Sequence, residues 1–445
     1  MNNSSIKFIN HASVVVTSGN TSLLTDPWYY GDAFHKGWNL IVEQTRDEIS
    51  NMLDEVTHIW ISHEHPDHFS VKFFLDFKEK IIQNSIKIIF QKTKDQRVVG
   101  FLKKQKFMVK ELSFNKEYRI GEEFVVKCIK DGFYDSALFM STKNNKILNL
   151  NDCEITTKER ANEILSVVGE CDILLTQFSY AAWKGGKENI NWRKLASEEK
   201  LKSMEIQIST LKPKLVIPFA SFIYFSNERN KYLNDSANTP DRIVEKFSHY
   251  KNLINIMKPF DEILTNTRNF KNNDSSAYWI EKYNRIQYNS FHRYNEVDFS
   301  DLNNLYKEYQ KRIFKNNNKH LIKIAKKLSP ISIFKNITIK LDDINQVVLI
   351  DLFSKELLKT SSEPDLVMSS ESLKFLLSNS FGFDTLTVNG CFEEGKKDGF
   401  ENAAKSLAIE NLNNMGIYFN LLIFFNLQII IYFFKRLNKV RKKIN

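Results

Sequence analysis

Cysteine is scarce in this chain: Cys128, Cys153, Cys171 and Cys391 are scattered over 445 residues, and no two stand in a Cys-x-x-Cys pair. That argues against a disulfide framework and fits a reducing cytoplasm. The opening residues, Met1-Asn2-Asn3-Ser4-Ser5, lack the basic-then-apolar pattern of a secretion signal, so the expected location is cytoplasmic. Acidic residues are outnumbered, leaving a formal net charge of +10, but the excess is dispersed except at the C-terminus. No basic stripe interleaved with aromatics is present, so no nucleic-acid partner is expected, whereas a site attracting phosphate or carboxylate groups is compatible with the charge. Hydrophobic residues make up 42%, enough to bury cores, and 445 residues exceed what one core organises. Two or three domains follow.

Histidine is also rare, with nine in the chain, yet four of them fall in the eleven positions from His58 to His68. The run reads His58-Ile59-Trp60-Ile61-Ser62-His63-Glu64-His65-Pro66-Asp67-His68. A short apolar strand leads into a loop where alternate residues His63 and His65 share a face and Asp67 and His68 turn to a second position. Neutral imidazoles with a carboxylate are ligands preferred by zinc and tolerated by iron or manganese. A histidine-rich surface loop is the bland alternative, and the clustering argues against it.

The spacing His-x-His-x-Asp-His resembles the signature of the metallo-β-lactamase fold. Ile6–Ile9, His11–Val16 and Leu23–Trp28 resemble its opening strands. The continuation Asp26-Pro27-Trp28, Gly31–Phe34 and Gly37-Trp38 is similar to the corresponding part of the CMP-N-acetylneuraminate hydroxylases, as are Asn149–Cys153, Gln177–Ser179 and Ile217–Ala220. This resemblance covers about residues 6–245. It implies an α/β, four-layer αβ/βα sandwich with loops gathered on one rim, one or two zinc ions held by His63, His65, Asp67, His68 and Asp152, and Asp26 bracing the metal loop from behind the ligands. Strand-like runs such as Ile86–Phe90, Phe124–Ile129, Ala137–Met140, Ile147–Leu150, Ile173–Thr176 and Leu215–Phe219 alternate with helical patterns at about 70–82, 155–168 and 195–211, as that architecture requires.

Two histidines that the fold ordinarily supplies are missing. None lies between 69 and 152, where Asp131 or Asp135 could offer an oxygen instead and favour iron or manganese. None stands shortly after the strand Leu215–Pro218; the matching position holds Asn227 and Glu228. His11, between two strands, and His35, in the loop after Trp28, are candidates to stand behind the ligands or face substrate.

Beyond residue 265 the character changes. A polar helical segment is expected over 266–329, bounded by Pro330, and then a small α+β domain over 330–412. Its expected strands are Ile337–Leu341, Val347–Leu352, Asp365–Met368 and Thr385–Val388, with a helix Ser370–Ser378. The order is loosely similar to sterol-carrier-like domains; a dimerisation domain is the alternative, giving a homo-oligomer. Within the tail, 413–445, the apolar stretch Gly416–Phe434 carries Asn420, Asn426 and Gln428 and is followed by basic residues. That suits a helix on a membrane surface, or one packed on protein, better than a full span.

Three functions remain open from sequence. The first is metal-assisted hydrolysis of a phosphorylated sugar, nucleotide-sugar or phospholipid, with a metal-bound hydroxide and Asp67 orienting it. The second is an oxygen-dependent hydroxylase, for which none of the cysteines has the neighbouring histidine of a Rieske cluster. The third is a non-catalytic member.

Overall fold

The computed structural model describes residues 4–250, 252–265, 272–329 and 332–420. The chain divides into two units, Met1–His292 and Arg293–Asn445.

In the first unit a seven-stranded sheet runs in the order Glu262–Leu264, Ser5–Asn10, Ser13–Ser18, Thr21–Thr25, His58–Ile61, Lys87–Gln91, Met108–Leu112. Its last four strands are parallel. A six-stranded sheet runs Leu215–Phe219, Ile173–Gln177, Lys146–Asn149, Ser136–Ser141, Phe124–Lys130, Glu117–Gly121. The two-residue repeat of each strand assigns its side chains to layers. Trp60, Ile89, Val14 and Val16 enter the core that also holds Val126, Leu138 and Leu148 of the second sheet. Their neighbours Ile59, Ile61, Ile88, Phe90 and Val15 point the other way, into a core with Ile49, Leu53, Phe73, Phe74, Val98 and Leu102 from the helices Arg46–Leu53, Val71–Asp76 and Arg97–Lys104. On the far side, Ala161 and Ile164 of the helix Lys158–Val168 and Leu201, Met204 and Ile208 of Ile190–Leu211 cover the second sheet. This is the four-layer αβ/βα sandwich of the metallo-β-lactamase fold. Central parallel strands buried on both faces explain the unbroken apolar runs.

The helical segment expected over 266–329 is divided between the units. The helix Asn272–Arg285 lies in the first, where Trp279 is fully buried, stacks on Phe222 at 4.0 Å between ring centres and donates its indole N–H to Met257 O at 2.9 Å. The helix Phe299–Asn316 lies in the second, burying Leu302, Tyr306, Tyr309 and Ile313 on one face.

The second unit builds a five-stranded sheet in the order Leu358–Lys359, Gln346–Ile350, Ile337–Leu341, Leu366–Met368, Phe392–Glu394. The helix Ser370–Ser378 starts as expected, with the Ser369 side chain accepting from Ser372 N–H. Thr385–Val388, expected as a strand, lies instead in the helix Gly382–Asn389, which buries Phe383 and Leu386 three residues apart and ends on Gly390 at φ +66°. Helical periodicity overrides the β-branched composition there. The tail stretch from residue 421 onwards, and Pro330, lie outside the described residues. Among the described residues no helix is long and apolar enough to cross a membrane.

Replacing Trp279 with alanine removes a buried ring with both stacking and hydrogen-bond partners. The expected cost is about 3–5 kcal/mol in urea unfolding of the first unit followed by near-UV circular dichroism.

Candidate metal centre

The C-terminal ends of the parallel strands Thr21–Thr25 and His58–Ile61 lie side by side, with Thr25 opposite Trp60. The next residue, Asp26, donates its N–H to Trp60 O at 2.9 Å and adopts φ +36°, an uncommon conformation for a residue with a Cβ. Its carboxylate accepts the Ser62 N–H at 2.7 Å with one oxygen and faces His68 Nδ1 at 3.0 Å with the other. A neutral His68 therefore carries its proton on Nδ1 and turns the Nε2 lone pair inward. The loop is a tight turn, with His68 and Phe69 N–H both bonding His65 O. Gln91 Nε2 and Ser136 Oγ bond Ser62 O at 2.8 and 2.7 Å, tying the loop to both sheets.

Ligand atoms converge on this rim. His63 Nε2 lies 2.9 Å from His65 Nδ1 and 3.6 Å from Asp135 Oδ1. His68 Nε2 lies 3.4 Å from both Asp67 Oδ2 and Asp152 Oδ1. His11 Nε2 lies 3.4 Å from Asp67 Oδ2. Three groups, His11–Asp67–His68, His63–His68–Asp152 and His63–His65–Asp135, each place one atom per residue within 4.8 Å of the others. Asp152 comes from the loop after Lys146–Asn149, and its Oδ1 also accepts from Gln177 Nε2 at 2.6 Å; Gln177 Oε1 in turn accepts from Lys200 Nζ at 2.6 Å.

The structure separates the sequence candidates. Asp135 turns towards His63, while Asp131 is taken by Arg160 at 2.8 Å and by the Glu154 N–H at 2.8 Å, which places it in a structural clamp instead. Asn227 lies outside the three groups, accepting from the Arg229 N–H at 3.0 Å within its own turn. His35 sits in the loop Phe34-His35-Lys36, all three at positive φ, and is outside the groups as well; its neighbour Phe34 contacts the His65 ring edge-on at 5.7 Å. His11, expected behind the ligands or facing substrate, brings its Nε2 into the cluster while Trp28 packs on its ring at 5.6 Å. Lys200 joins the site without any motif to mark it, and Gln177, within the segment Gln177–Ser179 that carries the family resemblance, is not among the site residues expected from sequence. Gln177 ends a strand on the same rim as Asp152.

Electrostatics follow from burial of many charges in one place. Burial opposes ionisation of Asp67, but His68 and His11 hold its carboxyl well below the ordinary value. Asp152 likewise falls to about 2 against burial, mainly through His68. Burial would lower His68, yet Asp67, Asp152 and Asp26 push it well above the usual imidazole value. Burial, helped by the charges of His68 and His65, drives His63 well below it. Burial and the charge of Asp152 raise Asp135 to about 7. Asp67 Oδ1, His68 Nε2 and His11 Nδ1 are buried without hydrogen-bond partners among the described residues. Buried polar atoms left this way are costly, and a cation bound beside His68 Nε2 and Asp67 would remove the part of that cost that falls on those two residues. The donor set of imidazoles and carboxylates thus fits a divalent metal.

Known proteins share this fold and parts of this sequence. The beta-lactamase superfamily domain family matches residues 5–126. Cytidine monophosphate-N-acetylneuraminic acid hydroxylase of Xenopus laevis is 26% identical over 247 residues, 52% of this chain and 40% of the relative; that of Danio rerio is 24% identical over 258 residues, 54% of this chain and 42% of the relative. The chain thus spans less than half the length of these curated relatives. Among solved structures, CmlA, a diiron beta-hydroxylase from Streptomyces venezuelae, aligns at TM-score 0.44 and 14% identity over 59% of this chain and 54% of that one.

Asp26→Asn keeps the shape but loses a charged acceptor for His68, so metal affinity is expected to fall about 10–100-fold in competition with a chromogenic chelator. Asp135→Asn is expected to lower metal content at equilibrium, whereas Asp131→Asn is expected to leave metal content unchanged and lower the melting temperature, both read on the same preparations.

Proposed function

We propose that the first unit is a metal-dependent hydrolase acting on an anionic substrate of phosphorylated-sugar, nucleotide-sugar or phospholipid type. The observation that carries this reading is the convergence of His11, His63, His65, His68, Asp67, Asp135 and Asp152 on one rim. His63, His65 and Asp135 would hold one ion and His11, Asp67 and His68 a second, with Asp152, which gathers with His63 and His68, available as a further ligand; zinc suits the imidazoles, and the added carboxylate makes iron or manganese acceptable. Such ions supply Lewis acidity and acidify water towards neutrality.

The chain's own residues do the rest. Asp67 is ionised, and its unpartnered Oδ1 is an acceptor that orients a water donor. Gln177 and Lys200 fix Asp152. Lys184, from the loop before Ile190–Leu211, has its pKa lowered by burial and by the charge of Lys200. Lys200, which reaches Asp152 through Gln177, and Lys184, close enough to feel its charge, would favour an anionic substrate group.

A second reading, an oxygen-dependent hydroxylase, rests on the names of the relatives. It would require a separate electron-donating partner, whether to a single iron or to re-reduce a diiron centre, since no Cys-x-His spacing is present in the sequence.

Bis(p-nitrophenyl) phosphate turnover by metal-loaded protein tests the proposal. His65→Ala is expected to lower kcat/KM by about 100-fold or more and reduce metal content, and Lys184→Ala to raise KM about tenfold with kcat nearly unchanged. Iron content with oxygen consumption and no phosphodiester turnover would favour the hydroxylase. Protein that loads no metal would overturn both readings.

A further inference from the structure

The parallel strands carry the metal rim at their C-terminal ends. At their N-terminal ends, between the two sheets, is a separate cleft of about 350 Å³. Register explains what lines it. His58 stands beside Lys87, Lys87 beside Met108, and Ile89 beside Lys110. Ile89 points into the core between the sheets, so its alternate neighbour Lys87 and its cross-strand neighbour Lys110 face the second sheet as well. Arg119 and Ile120 close the cleft from the strand Glu117–Gly121.

Three cations therefore border one apolar-floored cleft. Neither Lys87 nor Lys110 forms an ion pair among the described residues; Lys110 Nζ lies over the Tyr118 ring at 5.0 Å. The acids on the same strands are engaged elsewhere, Glu111 with Lys103 at 3.9 Å and Glu117 with Lys127 at 3.2 Å. Arg119 donates to the Glu122 carbonyl and forms no ion pair among the described residues. His58 is oriented too. The Thr57 hydroxyl donates to Ser22 O at 2.9 Å, so in its 2.9 Å contact with His58 Nδ1 the ring N–H is the donor and Nε2 is left without a partner among the described residues. Burial, with the charges of Lys87 and Lys110, pushes His58 down to about 4, so the ring adds no further positive charge at neutral pH.

We propose that this cleft binds a small organic anion, its phosphate or carboxylate headgroup held by Lys87, Lys110 and Arg119 and its apolar body lying on Met108 and Ile120. Like charges that repel one another around a concave surface are relieved by a ligand of opposite sign, and the volume falls within the range of about 300–1,000 Å³ of small-molecule sites. The site is independent of the metal rim, so it stands or falls separately from the hydrolase reading.

Calorimetric titration of the full chain with 1-naphthylmethylphosphonate, which a hydrolase cannot cleave, tests it, with 1-naphthoate and inorganic phosphate as the other probes. Saturable binding at one per chain is expected, unchanged by EDTA treatment or by His63→Ala, and weaker for inorganic phosphate, which lacks the apolar body. The double substitution K87Q/K110Q is expected to weaken binding about tenfold or more, equivalent to about 1.4 kcal/mol. Its side chains are exposed, so the melting temperature should not move; Arg119→Gln is the second variant and should weaken binding in the same direction. Comparable binding of naphthoate supports the site and shows that any anionic headgroup suffices. No saturable binding by any probe, or binding abolished by EDTA and insensitive to K87Q/K110Q, would overturn the proposal and place the anion at the metal rim.

Discussion

A single buried carboxylate organises the rim. Asp26 follows one central strand, accepts a backbone N–H from the loop of the next, and faces Nδ1 of His68. That pair of contacts, with the Ser62 hydroxyl 3.3 Å from the same Nδ1, fixes which nitrogen of His68 turns inward towards Asp67 and Asp152. The parallel pairing of the strands on either side offsets the strain of placing Asp26 at positive φ and of fully burying its charge. Other residues of the rim are held in the same way. His11, Asn151 and Ala220 are non-glycine residues at positive φ, and Ala220 N–H bonds His11 O at 2.7 Å, so the strained turns brace one another.

Charge balance decides the rest of the rim. Histidines and carboxylates are interleaved so that each buried carboxylate has an imidazole within about one contact distance, and the shifts run in opposite directions within the same few ångströms. In a low-dielectric setting such an arrangement is stable only when lone pairs and protons alternate, or when a cation sits among them. Two-sheet architecture supplies the convergence, because the first sheet carries His11, His63, His65, Asp67 and His68 and the second carries Asp135 and Asp152. The first sheet alone completes His11–Asp67–His68, whereas the other two groups each take a carboxylate from the second.

Much of this is legible along the chain. The alternation of Ile59, Trp60 and Ile61 marks a strand buried on both faces, and the histidine loop after it announces metal chemistry from composition alone. Asp26 and Asp152 are marked only by family resemblance, since a lone Asp-Pro or Asn-Asp pair carries no signal of its own. Substitution across distance is not legible. The fold's two missing histidines are expected between residues 69 and 152 and just after the strand Leu215–Pro218, where none stands, while His11, more than fifty residues before the histidine loop, brings a ring nitrogen into the cluster. Likewise Asp131 and Asp135 are equivalent in sequence, both near the turn after a strand, and only the position of Arg160 separates them by claiming the first. Thr385–Val388 reads as a strand from its β-branched residues, whereas burial of Phe383 and Leu386 on one face makes it a helix.

Residue order alone carries the layered class, the strand that feeds the histidine loop, and the identity of four of the seven residues that gather at the rim, because periodicity and local spacing are properties of neighbouring residues; Asp152 is marked by resemblance to a family. Which distant carboxylate and which distant histidine join them was settled by packing, as was the alignment of His58, Lys87, Lys110 and Arg119 around a second cleft. Those choices depend on strand register and on the approach of two sheets, and such long-range geometry leaves no trace in the spacing of residues along the chain.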